Sequence, residues 1–374
     1  MPFESRPVLV FWEMTRACNL FCLHCRASAI KKALPGELST EDAKTLLDDI
    51  TKFGRPYPTV ILTGGDPLLR SDLFEVIEHL NRIDLPFAIS PAVTEMLNRD
   101  MLLSLKRHNA SSVSVSLDGS SKFTHDRIRS VEGTFDRTID VIRTAVELGI
   151  NIQVNTTIMK QNVHELPYIF ELIRRLGVKA WELFFLIGVG RGMDLQATDC
   201  IENESICNFL YDASKYGMIL RCVEAPFIRR VVDMREGDGE RDYWDESLYR
   251  SLRDTLLKFS GTGDRSTSFG RRGTLDGDGT IFVAYNGAVQ PGGLLPYGIG
   301  NIRENSLVNL YRENKLLTKI RKREFEGKCG ECVYRDVCGG SRARSFSRFN
   351  NPLASDPGCF STPYCNEQVS NSAS

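Results

Sequence analysis

The 374-residue chain contains no run of about 18–20 apolar residues, so no membrane-spanning helix is expected. Met1 to Pro7 lack the apolar stretch of a signal peptide, and we read the protein as cytoplasmic, with no membrane partner. An excess of one charge is missing as well. Lys and Arg number 47 against 48 Asp and Glu, leaving a formal net charge of −1, which argues against a nucleic-acid binder. The glycine-rich stretch Ser260–Gly279 has no Walker-type lysine, and Asp276 to Thr280 lacks the downstream ligands of a calcium loop; we expect a linker and a turn there. Cysteine, by contrast, is abundant. Eleven are unusual as disulfides in a reducing compartment, where clustered thiols more often hold metal.

Short β-rich runs alternate with amphipathic segments. Strands are expected at Val8–Trp12, Thr59–Thr63, Phe87–Ser90, Ser112–Leu117, Asn151–Met159 and Ala180–Ile187. Between them, helices are expected from Ser39 or Thr40, and over Ser71–Asn81, Arg99–Arg107, Thr134–Leu148 and Val163–Leu176. Strands alternating with helices imply a parallel α/β sheet joined by right-handed crossovers, closed fully or partly into a barrel. Asp199–Tyr216 reads as a further helix, and the charged stretch Val231–Tyr249 as a solvated face with an exposed turn at Arg235–Arg241. Ile281–Gln290 reads as a hairpin turning at Asn286–Gly287, followed by a helix from Leu307.

Directly after the first strand come Cys18, Cys22 and Cys25, at C-x3-C-x2-C spacing. An iron–sulfur cube has four irons, so three thiolates leave one iron open to a small molecule. Other polar groups fall at the carboxyl ends of later strands, where α/β folds gather ligands: Gly64–Pro67, Ser116–Gly119, Asn155 with Thr157, and Gly188–Gly192. Turn formation alone also favours Gly, Asp and Pro at such places.

These residues together resemble the radical S-adenosylmethionine superfamily, from about Val8 to Ile187. The resemblance implies a partial (β/α)6 TIM-like barrel over residues 1–195. It also implies a [4Fe–4S] cluster on Cys18, Cys22 and Cys25 whose open iron takes the amine and carboxylate of S-adenosylmethionine. Reductive cleavage of that cofactor gives a 5′-deoxyadenosyl radical that abstracts hydrogen, with electrons from a low-potential donor such as ferredoxin or flavodoxin. By the same resemblance, Gly64, Gly65 and Asp66 receive the methionine ammonium, Ser116 reaches the ribose, Arg129 pairs with the cofactor carboxylate, and Asn155 contributes to the cofactor site. Asp66 stands where the family usually has Glu. His24 lies at the position that adjoins adenine, and we assign it no proton-transfer role.

Cys329, Cys332 and Cys338, with Cys359 further on, supply four more thiols. Spacing alone suits zinc as well as iron. The surrounding pattern resembles the SPASM or shorter twitch extension. That implies a small C-terminal iron–sulfur domain over 280–374, with one auxiliary [4Fe–4S] cluster on these four cysteines and Cys365 as the rival fourth ligand. Gly292 stands where the fuller pattern has a cysteine. Residues 196–279 are expected to form the barrel end, a helical segment and a linker, with Cys200, Cys207 and Cys222 as packing residues. The C-terminal pattern, with Arg342 and Arg344, resembles enzymes that oxidise or decarboxylate tetrapyrrole side chains. The two arginines would either pair with substrate carboxylates or balance the charge of the auxiliary cluster. A ribosomal-peptide maturase is the alternative, and an iron–sulfur electron carrier or zinc-binding module is the alternative of another class.

Overall fold

The computed structural model describes residues 3–237, 246–270, 273–362 and 365. The expected strands form β1 (Leu9–Glu13), β2 (Thr59–Thr63), β3 (Phe87–Ile89), β4 (Val113–Ser116), β5 (Ile152–Ile158) and β6 (Ala180–Phe185), paired in parallel in that order. Between them run α1 (Thr40–Thr51), α2 (Leu73–Arg82), α3 (Arg99–Arg107), α4 (Lys122–Arg129), α5 (Thr134–Glu147) and α6 (Leu166–Arg175). Ser39 starts α1 through a reciprocal capping box with Asp42, and Ala43, Leu46, Leu47 and Ile50 recur on its buried face. The outer face of the sheet supplies Val10, Trp12, Val60, Leu62, Val154 and Leu183 to the same core. Each such side chain contributes about 1.5–3 kcal/mol on burial.

Residues 196–279 hold more regular structure than expected. After α7 (Cys200–Ala213), Gly217 turns the chain at φ +81, and β7 (Ile219–Val223) adds to the sheet parallel to β6. The charged stretch that follows is largely helical, as α8 (Ile228–Glu236) and α9 (Ser247–Ser260), and α9 buries Leu252 and Leu256. Arg235 is a helical residue bound to Asp212 at 2.7 Å, and the remainder of the turn expected over Arg235–Arg241 lies, from residue 238, outside the described residues.

The hairpin also does more than expected. After β8 (Leu275–Asp276), β9 (Gly279–Val283) pairs in parallel with β1, while β10 (Ala288–Gln290) and β11 (Gly300–Asn301) continue outward. The sheet therefore runs β11-β10-β9-β1-β2-β3-β4-β5-β6-β7, and the C-terminal segment extends the barrel wall. Gly287, at φ +84, makes the turn. α10 (Leu307–Glu313), α11 (Lys315–Arg321), α12 (Gly327–Glu331) and α13 (Arg342–Phe349) complete the chain. Cys365 is disulfide-bonded to Cys200, 165 residues away and with Cα atoms 5.7 Å apart. This corrects two expectations: Cys200 as a packing residue, and Cys365 as a rival ligand. Among the described residues no helix is long and apolar enough to cross a membrane.

Strand register places Ser116, Asn155, Glu182 and Arg221 side by side across β4 to β7, on the face that lines the barrel interior. Gln153 ties this row together, donating to Asn155 Oδ1 at 2.9 Å and Glu182 Oε2 at 3.0 Å and accepting from Arg221 Nη1 at 2.5 Å.

Candidate active site

The cysteine loop is closed at its base by Cys18 N–H donating to Ile30 O and Ile30 N–H to Arg16 O, at 2.8 and 3.0 Å. The β2–α2 turn grips the segment between β1 and the cysteines, with Gly65 N–H on Thr15 O and Asp66 N–H on Ala17 O, both at 2.7 Å. A Cβ on Gly65 would sit 2.2 Å from Ala17 O, and Gly64 adopts φ +142. The two glycines are thus required first by the chain's own backbone. Gly64 and Gly65 line the cavity. Asp66 is fully buried and is not among the described lining residues; its carboxylate accepts from Leu68 N and Ala92 N at 3.1 and 3.3 Å. Burial pushes its carboxyl up to about 6 against those donors.

Each of the three thiols faces an N–H: Leu20 N to Cys18 Sγ at 3.4 Å, Ala29 N to Cys25 Sγ at 3.4 Å, and Arg129 Nη1 to Cys22 Sγ at 3.5 Å. Sulfurs that accept hydrogen bonds suit thiolate ligation of an iron cluster. Burial pushes the Cys18 thiol up to about 12, so ligation must displace its proton.

Two residues that fall within the expected strand-end groups, but to which the sequence assigned no role of their own, organise this loop. Asp118, completely buried at the end of β4, is ion-paired with Arg129 at the end of α4, and its Oδ1 accepts from Thr157 N at 2.8 Å. Its own N–H donates to His125 Nδ1 at 3.1 Å, and His24 Nε2 lies 3.8 Å from its Oδ2. Arg129, expected at the cofactor carboxylate, is therefore already paired, and it bridges Asp118 to Cys22. Arg191, after β6, donates to Cys22 O and Ala29 O, both at 2.9 Å, and stacks on Phe21 at 4.0 Å. Gly190 allows this contact, since a Cβ there would lie 2.4 Å from Arg26 O.

Burial, aided by the Arg129 charge and opposed by Asp118, lowers His125 to about 4. A base whose folded value lies below its unfolded 6.5 stabilises the fold fully above pH 6.5 and loses that contribution as the pH falls toward 4. Wild type should therefore lose about 1.4 kcal/mol per pH unit through this group below pH 6.5. Denaturant unfolding at pH 7.5 and 5 should show His125→Asn, whose amide oxygen can accept the same N–H, with a shallower loss; equal slopes would refute the assignment.

A cavity of about 920 Å³ extends from the cysteine loop through the barrel interior to the C-terminal segment. Cys18, Cys22, Cys25, Ser116, Arg129 and Asn155 line one end, and Glu224, Asp276, Ser341 and Arg342 the other. Next to Arg342 and Ser341 on that wall comes the C-terminal cysteine group, Cys329, Cys332, Cys338 and Cys359. Asp356 N donates to Cys329 Sγ at 3.3 Å, Tyr334 N to Cys332 Sγ and Gly340 N to Cys338 Sγ, both at 3.4 Å. Cys359 follows Asp356 in a turn whose Cys359 N–H donates to Asp356 O. Among the described residues no group of three or more His, Cys, Asp or Glu side chains is placed to hold a single metal ion. Arg342, fully buried, donates to Pro352 O and Ala354 O at 3.0 and 2.9 Å, and its Nη2 is 3.8 Å from Cys329 Sγ. Arg344 is paired with Asp356 at 3.0 Å. Both arginines are thus engaged by groups of the protein itself, Arg342 by carbonyls beside Cys329 and Arg344 by Asp356.

A protein with an open three-cysteine loop at the mouth of a partial parallel barrel belongs to a definite class, and the sequence agrees. The profile of the Radical SAM superfamily matches residues 12–173, and the chain belongs to that superfamily, whose enzymes use a [4Fe–4S] cluster and S-adenosylmethionine. It is similar to the AdoMet-dependent heme synthase of Oleidesulfovibrio alaskensis, at 34% identity over 363 residues, covering 95% of this chain and 87% of that protein. With the Fe-coproporphyrin III synthase of Methanosarcina barkeri it shares 30% identity over 370 residues, covering 96% and 89%. Among solved structures, anSMEcpe with bound AdoMet superposes with a TM-score of 0.67 at 16% identity, covering 96% of this chain and 94% of that one. Streptococcus suis SuiB bound to precursor peptide SuiA also gives 0.67, at 14% identity, covering 96% and 76%. The structural likenesses show the fold.

Proposed function

We propose that this radical enzyme abstracts hydrogen from a carboxylate-bearing side chain of an iron tetrapyrrole and brings about its oxidative decarboxylation: the 5′-deoxyadenosyl radical takes the hydrogen atom, the carboxylate leaves as carbon dioxide, and the one electron left over would pass to a one-electron acceptor such as the auxiliary cluster. The observation that carries the reading is identity of 30–34%, over nearly the whole chain, to proteins named heme synthase and Fe-coproporphyrin III synthase, against 24–25% to mycofactocin maturases. The cavity supports it, being at the upper end of the roughly 300–1,000 Å³ range of ligand sites.

Cys18, Cys22 and Cys25 would hold the cluster that binds S-adenosylmethionine, and together these groups supply a 5′-deoxyadenosyl radical. Gly64, Gly65, Ser116 and Asn155 shape the cofactor end of the cavity, Arg129 holds Cys22, and Asp66 acts from beneath through the loop it braces. Cys329, Cys332, Cys338 and Cys359 would hold one auxiliary cluster in the segment 280–374. Electrons would come from a low-potential donor such as ferredoxin or flavodoxin, in the cytoplasm.

The test is anaerobic reconstitution followed by dithionite, S-adenosylmethionine and iron–coproporphyrin III. Mass analysis should show 5′-deoxyadenosine together with a tetrapyrrole that has lost carbon dioxide and hydrogen from an arm. Unchanged tetrapyrrole beside abundant 5′-deoxyadenosine would reject this substrate and favour the peptide-maturase alternative.

A further inference from the structure

Six guanidiniums line the cavity, and five of them are engaged by the protein. Arg26 is paired with Glu13 at 3.2 Å and Arg129 with Asp118. Arg191 holds Cys22 O and Ala29 O, and its unpartnered Nη2 is buried. Arg229, in α8, donates to Val337 O at 2.8 Å and to Thr274 O at 3.2 Å, while Arg342 is bound to Pro352 O and Ala354 O. The sixth is Arg221, in β7. Among the described residues the hydrogen-bond partner of its guanidinium is the neutral carboxamide of Gln153, at 2.5 Å, and it is in no ion pair.

Arg221 stands beside Glu182 of β6 in the strand register, yet the two are not paired. Gln153, on β5, comes between them. Its Oε1 accepts from Arg221 Nη1, and its Nε2 donates to Glu182 Oε2 at 3.0 Å and to Asn155 Oδ1 at 2.9 Å. A carboxamide whose nitrogen is fixed by two acceptors offers the guanidinium its oxygen. The arginine is thereby drawn along the row toward Asn155, at the cofactor end of the cavity. A guanidinium carries five N–H donors in a planar fork. Nη1 faces Gln153, and the residue is exposed on the cavity wall, so an edge of the fork stays open there. Such an edge matches the two oxygens of a carboxylate.

We propose that Arg221 anchors one carboxylate arm of the substrate through the edge that Gln153 leaves free. The bearer of the arm rests on the tetrapyrrole reading above; the open guanidinium does not. The arm held is one that the product keeps. A carboxylate that leaves as carbon dioxide loses its charge on the way, so a paired guanidinium would stabilise the starting state and slow the loss. Held by a different arm, the macrocycle is oriented and the reacting arm is brought to the cofactor.

The test is equilibrium binding to the anaerobically reconstituted holoenzyme, with iron–coproporphyrin III and its methyl ester as probes and iron content per chain as the check on folding. Wild type should bind the free acid more tightly than the ester, and added salt should narrow the difference. Arg221→Met should weaken free-acid binding about tenfold or more, as loss of a charge-assisted hydrogen bond does, and leave ester binding unchanged. Arg221→Lys keeps the charge without the fork and should fall between the two. Glu182→Gln removes the carboxylate beside the guanidinium and should leave free-acid binding equal or tighter. A loss there matching that of Arg221→Met would show the row acting structurally and overturn the proposal. Wild-type free-acid affinity in Arg221→Met, or an equal loss for acid and ester, would overturn it while the tetrapyrrole reading stands. Wild type that binds neither probe would reject the tetrapyrrole reading, and the anchored arm with it.

Discussion

Cys22→Ala should leave no 5′-deoxyadenosine above the protein-free background, whereas Cys332→Ala should lose one cluster's worth of iron and keep measurable cofactor cleavage. The two cysteine groups differ in what the chain offers each. At Cys18, Cys22 and Cys25 there are three thiols, so removing one leaves two ligands for four irons, and the open corner for the cofactor disappears with the cube. Cys22 is also the sulfur that Arg129 holds at 3.5 Å, so the site loses both a ligand and that contact, while the backbone carbonyl that receives Arg191 remains. The second group has four thiols, its own backbone donors and a buried arginine, and it lies across the cavity from the first. Its loss should reduce turnover of substrate far more than cleavage of the cofactor. Anaerobic iron and sulfide analysis with quantified 5′-deoxyadenosine separates the two. Full cleavage by the Cys22 variant would overturn the assignment of the open cluster, and equal loss in both variants would overturn the division of labour.

The cysteines and the βα core were legible because their signals are local. Ligand spacing and amphipathic periods repeat within a few residues, and the strands β1 to β6 follow from them. β7 was missed because its inward position is Arg221, part of the polar row with Ser116, Asn155 and Glu182 that faces the cavity. A strand whose inner face lines a wet chamber shows a weak hydrophobic alternation. α9 was missed for a related reason, since only Leu252 and Leu256 are buried on a helix otherwise rich in charge. The site residues that escaped notice act across long separations: Arg191 on Cys22 spans 169 positions, Ser341 on Glu224 spans 117, and the Cys200–Cys365 bond 165. No short window contains both members of such a pair. Asp118 was visible, but as the first residue of an Asp-Gly turn, and nothing nearby marks it as the partner of Arg129.

Asp118→Asn should be the most damaging substitution outside the cysteines, costing about 3–5 kcal/mol of stability and most of the affinity for S-adenosylmethionine. The change keeps size and shape, and the amide oxygen can still accept from Thr157 N. What it removes is the charge facing Arg129, whose side chain is 11% exposed. A guanidinium that deep with no counter-charge pays its full desolvation cost. Burial opposes ionisation of Asp118, yet Arg129, with His24 and His125, holds its carboxyl below the usual range, so at neutral pH the pair is fully charged. The consequence reaches the metal site by a short path. Asp118 fixes Arg129, Arg129 donates to Cys22, and Cys22 stands among the three ligands that define the open iron. Replacing the arginine as well distinguishes a lost pair from a lost shape. Asp118→Asn with Arg129→Met should recover much of the unfolding midpoint, because no orphaned charge remains, while cofactor affinity stays low because the Cys22 contact is gone. Denaturant unfolding and equilibrium binding of S-adenosylmethionine on anaerobic protein measure the two effects. A single variant with wild-type stability would show that Arg129 finds its compensation elsewhere, and recovery of affinity in the double variant would remove Arg129 from the positioning of the site.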